Sequence, residues 1–301
     1  MEFDLIICGA GAGGLTAAIY ACRAGLKTLV LEKLFSGGQA ATTYEIDNYP
    51  GFDETIEGHE LAMKLDAQAR KFGADLRSEE ILTLSLEGEV KEVHTANAVY
   101  RAPQVILAMG AQPKTLGLER EDELRGRGVS YCATCDGAFY REKVTAVIGG
   151  GNTALEDALF LSRFCRQVYL IHRRDNFRGD KYLADKVMAD SKITVLWDTV
   201  AEKISGEQVE SLTVRNVKTN EVREIALDGL FVAVGITPQS GLAEGKVAME
   251  DGYILTDELM RTNVAGVYAV GDIRKKFLRQ VVTAAADGAI AASAAAQALN
   301  M

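Results

Sequence analysis

One pattern occurs twice in the chain and constrains the fold more than anything else. An apolar strand runs into a glycine cluster, and the cluster opens a helical stretch. In the first copy Leu5–Cys8 reads as a buried strand, Gly9-Ala10-Gly11-Ala12-Gly13-Gly14 as the turn, and residues 15–24 as the helix. A second apolar strand, residues 28–31, closes on Glu32. The later copy has Val144–Ile148, then Gly149-Gly150-Gly151-Asn152-Thr153-Ala154, a helical stretch at 155–164 and a strand at 168–171. Strand–helix–strand units of this kind close with a right-handed crossover and make a parallel sheet. Both copies continue alike. Alternating stretches at 81–86 and 90–93, and again at 212–217 and 222–227, read as antiparallel strands laid beside the sheet. Both then end in an apolar run with Gly and Pro, at 105–110 with Pro113 and at 230–235 with Pro238.

The first cluster fits G-x-G-x-x-G at Gly9, Gly11 and Gly14. The first glycine makes the turn, the second lets backbone approach a pyrophosphate, and the third lets helix and strand pack closely. The helix N-terminus then faces the negative charge. Glu32, ending the next strand, is placed to accept hydrogen bonds from a ribose. The second cluster is a G-x-G-x-x-A variant with Gly149, Gly151 and Ala154, and with Asn152 and Thr153 opening the helix. Its second strand ends without an acid, in His172-Arg173-Arg174, with Arg178 following. A carboxylate there would repel a 2′-phosphate, whereas arginines pair with one. This cluster therefore points to NADPH; the plainer alternative is a solvated basic patch.

Two dinucleotide motifs imply two dinucleotides, one held and one exchanged, with FAD assigned to the N-terminal site. Gly271-Asp272 supports FAD. It follows an apolar strand at 266–270 and precedes a helix that begins after Gln280, so its acid can meet a ribityl hydroxyl. The expected fold class is α/β, with two Rossmann-like dinucleotide-binding domains, each a parallel sheet plus an antiparallel meander. The tail from about Gly241 has no counterpart in the second copy and is expected to complete the first domain. The NADPH domain, residues 113–244, is thus inserted into an FAD domain of residues 1–112 and 245–301. The joins fall near 112–116 and 240–246.

Cys132-Ala133-Thr134-Cys135-Asp136 precedes the first strand of the second copy. A C-x-x-C pair closes as a disulfide or binds metal. Zinc needs four ligands as a rule. No second pair exists, and the three histidines are far apart. Idle core thiols remain an alternative, but a two-electron donor predicted in the same chain favours redox use. Asp136 is placed to move the proton that thiol–disulfide chemistry requires, or else is a turn residue before Gly137.

The net charge of −9 argues against nucleic acid as the main partner, since phosphate binding needs a basic footprint. Five cysteines in so long a chain are not a secreted disulfide framework. Cys8, Cys22 and Cys165 read as small buried hydrophobes. Acidic residues stand where a signal peptide would be positive, and no apolar run reaches about 18 residues. The alanine-rich end reads as a packed helix. A cytoplasmic protein without a membrane span is expected.

Together these motifs resemble the low-molecular-weight thioredoxin reductases. The likeness rests on Gly9 to Gly14, Gly37-Gly38-Gln39, Asn48-Tyr49-Pro50-Gly51-Phe52, Cys132 to Gly137, Gly149 to Ala154, His172-Arg173-Arg174 with Arg178, and Gly271-Asp272 with Arg279-Gln280. It implies FAD, NADPH, a homodimer, and thioredoxin or a similar protein as partner. It puts Gln39, Asn48, Asp272, Arg279 and Gln280 at the FAD, with Gly38, Gly271 and Val281 beside them. By the same resemblance Cys135 faces the flavin, Cys132 attacks the protein substrate and Asp136 is the acid/base. The family often has proline in the first glycine cluster, where Ala12 and Gly13 stand here, and Cys8 is unusual. Because nicotinamide and disulfide share one domain and need the same flavin, that domain is expected to rotate about its joins. Rival readings are a flavin reductase with another donor or a small disulfide substrate, a dithiol oxidase, and an NADPH-binding redox sensor.

Overall fold

The computed structural model describes residues 3–43, 45–46 and 48–299; the start, Met1-Glu2, lies outside them. The chain forms two compact units, Met1–Gln112 with Thr237–Met301, and Pro113–Ile236.

The first unit is built on a parallel sheet in the order Val267–Ala269, Gln104–Leu107, Leu5–Cys8, Thr28–Glu32, Asp75–Ser78. Its central strands are apolar at every position because both faces are covered. Leu5, Ile7, Val30 and Ile106 face helices α1 (Ala12–Arg23), α2 (Gly58–Lys71) and α6 (Val281–Ala298). Ile6, Cys8, Leu29, Leu31 and Leu107 face an antiparallel sheet of Ile81–Ser85, Lys91–Thr95 and Val99–Ala102. Helices α1 and α6 meet at Gly13 and Gly288, where a Cβ on Gly288 would come within 2.1 Å of the Gly13 carbonyl oxygen. By length and composition α6 is apolar enough to cross a membrane, but Ala285, Gly288, Ala291, Ala292, Ala295 and Ala296 are buried, and it carries a paired Asp287. It is built as a core helix.

The second unit repeats the plan. Its parallel sheet runs Val129–Ser130, Gly229–Val232, Val144–Ile148, Gln167–Ile171, Ile193–Leu196. Helices α4 (Asn152–Ser162) and α5 (Lys181–Ala189) cover one face, and an antiparallel sheet of Thr199–Ser205, Ser211–Asn216 and Val222–Ala226 covers the other. A single-turn helix, α3 (Ala133–Asp136), follows the edge strand Val129–Ser130.

Several elements differ from the sequence expectation. Each antiparallel sheet has a third strand, and each parallel sheet has an outer strand, Asp75–Ser78 or Ile193–Leu196. Asp75–Ser78 is polar at every position but Leu76 because it lies at an edge, where Arg77 pairs with Asp75 at 2.6 Å. The chain returns to the first unit at Ile236–Thr237, earlier than the expected 240–246. The reason is packing: Ala243 and Val247 are buried beside Phe3 and Ile6. Cys8 and Cys165 are buried and Cys22 half-buried.

Candidate active site

In the first unit the strand ends and the glycine turn make a cradle. Gly9 has φ +107°, and a Cβ there would fall 2.6 Å from the Ala108 carbonyl oxygen, so only glycine fits the turn. Gly11 caps α1, whose N-terminus is left open to an anion. The segment Gly37–Gln39 runs beside this turn: Gly37 N–H donates to the Ala10 carbonyl at 2.7 Å, and Gly38 approaches Gly11. Gln39 donates to the Ala111 carbonyl at 2.5 Å. The Glu32 carboxylate accepts from Ala10 N–H at 2.9 Å and Leu34 N–H at 3.2 Å. It lines a pocket of about 200 Å³ with Ala10, Val30, Leu76, Arg70 and Arg77. A pocket beside a glycine turn, walled by an acid, two arginines and aliphatic side chains, fits an adenosine in chemistry.

At the other end of this unit, Gly271 (φ +74°) and Asp272 follow the edge strand Val267–Ala269. Among the described residues Asp272 Oδ1 is buried and accepts no close hydrogen bond, and its ion-pair partner Lys276 Nζ stands 3.5 Å away. Burial pushes the Asp272 carboxyl above the usual range, against the pull of Lys276 and Arg279. Arg279 Nε is likewise buried and unpartnered among the described residues, while its guanidinium lies 4.4 Å from the Tyr253 ring centroid. Buried polar atoms are nearly always satisfied, so the Arg279 donor, beside an Asp272 oxygen held only by a long Lys276 contact, marks a polar ligand position. Gln280 caps α6 in a capping box with Thr283, just ahead of Val281, and accepts from Asn48 Nδ2 at 3.1 Å.

Asp287 escaped the sequence reading, yet it anchors the region. It is buried and accepts from Gly271 N–H at 3.0 Å, from Arg274 through Nε at 2.9 Å and Nη2 at 3.0 Å, and from Lys276 at 3.1 Å. The available signal was a lone carboxylate inside an alanine-rich helix.

In the second unit Gly151 caps α4. Asn152 is committed to structure: its amide donates to Asp180 Oδ2 at 2.9 Å and its Oδ1 accepts from Asp180 N–H at 2.7 Å. Thr153 is exposed and Ala154 buried against Gly149. Arg173, Arg174 and Arg178 are exposed and make no salt bridge among the described residues. His172 is buried over Gly150, where a Cβ would fall 2.2 Å from its ring. Its Nε2 has no hydrogen-bond partner among the described residues. Burial, reinforced by the three guanidiniums, holds its pKa below the ordinary imidazole value. Unpaired guanidiniums beside an open helix N-terminus fit a phosphorylated nucleotide.

Cys132 and Cys135 form a disulfide across α3, with Cα atoms 5.3 Å apart. Cys132 is the N-cap, and its carbonyl accepts from Cys135 N–H at 3.2 Å and Asp136 N–H at 3.1 Å. Gly137 is buried against Leu161 and Phe164, which seats the turn on α4. Ser130, another residue missed in the sequence, accepts from Cys132 N–H at 3.1 Å and donates to Asp136 Oδ2. No pattern in the sequence marks that serine.

A disulfide in one of two dinucleotide-type units defines a class, and residues 3–288 match the model of the pyridine nucleotide-disulphide oxidoreductases. The thioredoxin reductase of Treponema pallidum is 47% identical over 98% of this chain and 96% of its own length. That of Bacillus subtilis is 43% identical over 96% of this chain and 92% of its own. The crystal structure of thioredoxin reductase from Streptococcus pyogenes superposes with a TM-score of 0.95, at 40% identity, over 99% of this chain and 98% of that one. The chain belongs to the pyridine nucleotide-disulphide oxidoreductase family, in its low-molecular-weight thioredoxin reductase branch.

Proposed function

We propose that the chain is an NADPH-dependent thioredoxin-disulfide reductase with FAD in its first unit. The observation that carries this is the Cys132–Cys135 disulfide, closed in the same compact unit as the arginine-bearing loop. FAD, when bound, supplies two-electron transfer between the dihydronicotinamide and the disulfide. In this reading Gly9, Gly11, Gly38 and Gln39 receive its pyrophosphate side, Gly14 packs the helix close to the turn, and Glu32 receives its ribose. Asn48, Gly271, Asp272, Arg279, Gln280 and Val281 receive the remainder. The unpartnered Nε of Arg279 among the described residues, and the long Lys276 contact that is all Asp272 Oδ1 has, support that assignment. Gly149, Gly151, Thr153 and Ala154 form the turn for NADPH. His172, Arg173, Arg174 and Arg178 surround its 2′-phosphate, with Asn152 bracing the turn through Asp180.

Once reduced, the pair acts by exchange. The Cys132 thiolate attacks the partner's disulfide, and one partner sulfur leaves. Cys135 then attacks Cys132 in the mixed disulfide, freeing the partner as a dithiol and closing the Cys132–Cys135 bond again. Asp136, at the C-terminal end of α3, holds the proton that a departing thiolate needs. Thioredoxin or a similar small protein is the partner in this reading, and the working form is a cytoplasmic homodimer.

Anaerobic titration with NADPH tests the proposal. A redox-active disulfide takes up an extra equivalent, so flavin bleaching should require about two NADPH per flavin. Bleaching at about one would make the cysteines electronically silent and the protein a plain flavin reductase. No bleaching would overturn the reading of the arginines.

A further inference from the structure

The loop that carries Arg173, Arg174 and Arg178 is held from outside. His172 N–H donates to the Leu196 carbonyl at 2.9 Å, and Thr199 N–H donates to the His172 carbonyl at 3.0 Å. Asp198 N–H donates to the Arg174 carbonyl at 3.2 Å. Arg178 and Gly179 N–H both donate to the Gly150 carbonyl, at 2.7 and 3.1 Å. Three of these five anchors come from Leu196, Asp198 and Thr199, which flank or form the turn Trp197-Asp198 between strands Ile193–Leu196 and Thr199–Ser205. Asp198 adopts φ +51°, so the turn is tight.

The side chains add a second tie. Phe177, in the loop, lies 4.4 Å from Trp197 between ring centroids. His172 is 5.9 Å from Phe177 and 6.3 Å from Trp197, which closes a three-ring cluster. The Trp197 carbonyl accepts from Thr199 Oγ1 at 2.6 Å. Lys218 also bridges Asp175 and Asp198, at 3.0 and 3.1 Å, but it is exposed, and exposed ion pairs hold little. Among these side-chain ties the aromatic cluster is the strongest, and Trp197 is its member from the adjoining turn.

We infer that Trp197 is the positioning residue for cofactor selectivity. It sets where the three guanidiniums stand and so sets discrimination between nucleotides with and without a 2′-phosphate. The inference rests on the reading that these arginines receive that phosphate. Trp197 acts through Phe177 and His172 and has no part in the chemistry. The physical basis is preorganisation: bidentate guanidinium–phosphate pairing depends on geometry, and a long arginine on an unanchored loop must be ordered at the moment of binding. A nucleotide lacking the 2′-phosphate gains nothing from the loop, which makes NADH the internal control.

The test compares the FAD-loaded wild type with Trp197→Ala and Trp197→Phe. Steady-state rates are measured with NADPH and with NADH, using ferricyanide as acceptor to bypass the disulfide. Calorimetry with 2′,5′-ADP and 5′-AMP gives a readout independent of turnover. Trp197→Ala should raise KM for NADPH and weaken 2′,5′-ADP by about tenfold, the scale of one good charge-assisted contact, with kcat and the NADH and 5′-AMP values within about twofold. Trp197→Phe should recover most of the loss. Equal losses for both donors would reduce Trp197 to general support of its unit and overturn the inference. So would an unchanged NADPH preference in Trp197→Ala. A wild type indifferent to the 2′-phosphate would overturn the arginine reading, and this inference with it.

Discussion

The Ser130 hydroxyl donates to Asp136 Oδ2 at 2.5 Å while accepting from the Cys132 amide at 3.1 Å. One buried serine thus joins the carboxyl proposed as proton donor to the backbone of the attacking cysteine. Ser130→Ala should leave NADPH-dependent ferricyanide reduction unchanged and slow thioredoxin reduction about tenfold, a fraction of the roughly 10²–10⁴ that a positioned acid–base group contributes. Ser130→Thr keeps the hydroxyl and should recover most of the rate. Equal rates for Ser130→Ala and wild type with thioredoxin would deny the serine this role.

Asp287 supports the Asp272 region from below. Its carboxylate pairs with Arg274 and Lys276 out of water, and removing one member of a buried pair leaves stranded charge. Asp287→Ala should cost about 3 kcal/mol and lower FAD retention on gel filtration. Unchanged melting and a full flavin complement would contradict that assignment.

Gly150 makes room for the His172 ring. Gly150→Ala places a methyl against that ring, so the imidazole and its arginine loop must shift. The variant should bind NADPH about tenfold or more weakly while keeping its flavin spectrum. Calorimetry and absorbance report the two effects separately.

Asp157 on α4 gives a pH signature. Burial, with the adjacent Glu156 adding to it, raises its carboxyl to about 7. The folded state therefore holds a proton that the unfolded state releases at lower pH. The sign follows: stability falls as pH rises from the ordinary aspartate range to about 7, and the full penalty is present above that. Asp157→Asn should melt higher than wild type at pH 8, by a margin of about 1–2 kcal/mol that vanishes near pH 4. Parallel melting curves at the two pH values would refute it.

Local sequence determined the two strand–glycine–helix units, the arginine-bearing strand end and the C-x-x-C pair. Each is a contiguous stretch whose residue types dictate its backbone: Gly9 must take positive φ, and apolar runs such as Leu5–Cys8 must be covered on both faces. The outer strands were hidden because edge strands such as Asp75–Ser78 carry polar residues and show no period. Tertiary structure alone decided which distant groups meet. Asp287 reaches Gly271 and Arg274, Ser130 reaches Asp136, Trp197 reaches Phe177, and Glu32 reaches the Ala10 amide. Chain packing sets these contacts; all but Ser130 and Asp136 are too far apart in sequence for a local pattern to pair them, and that pair meets only because α3 turns the chain back.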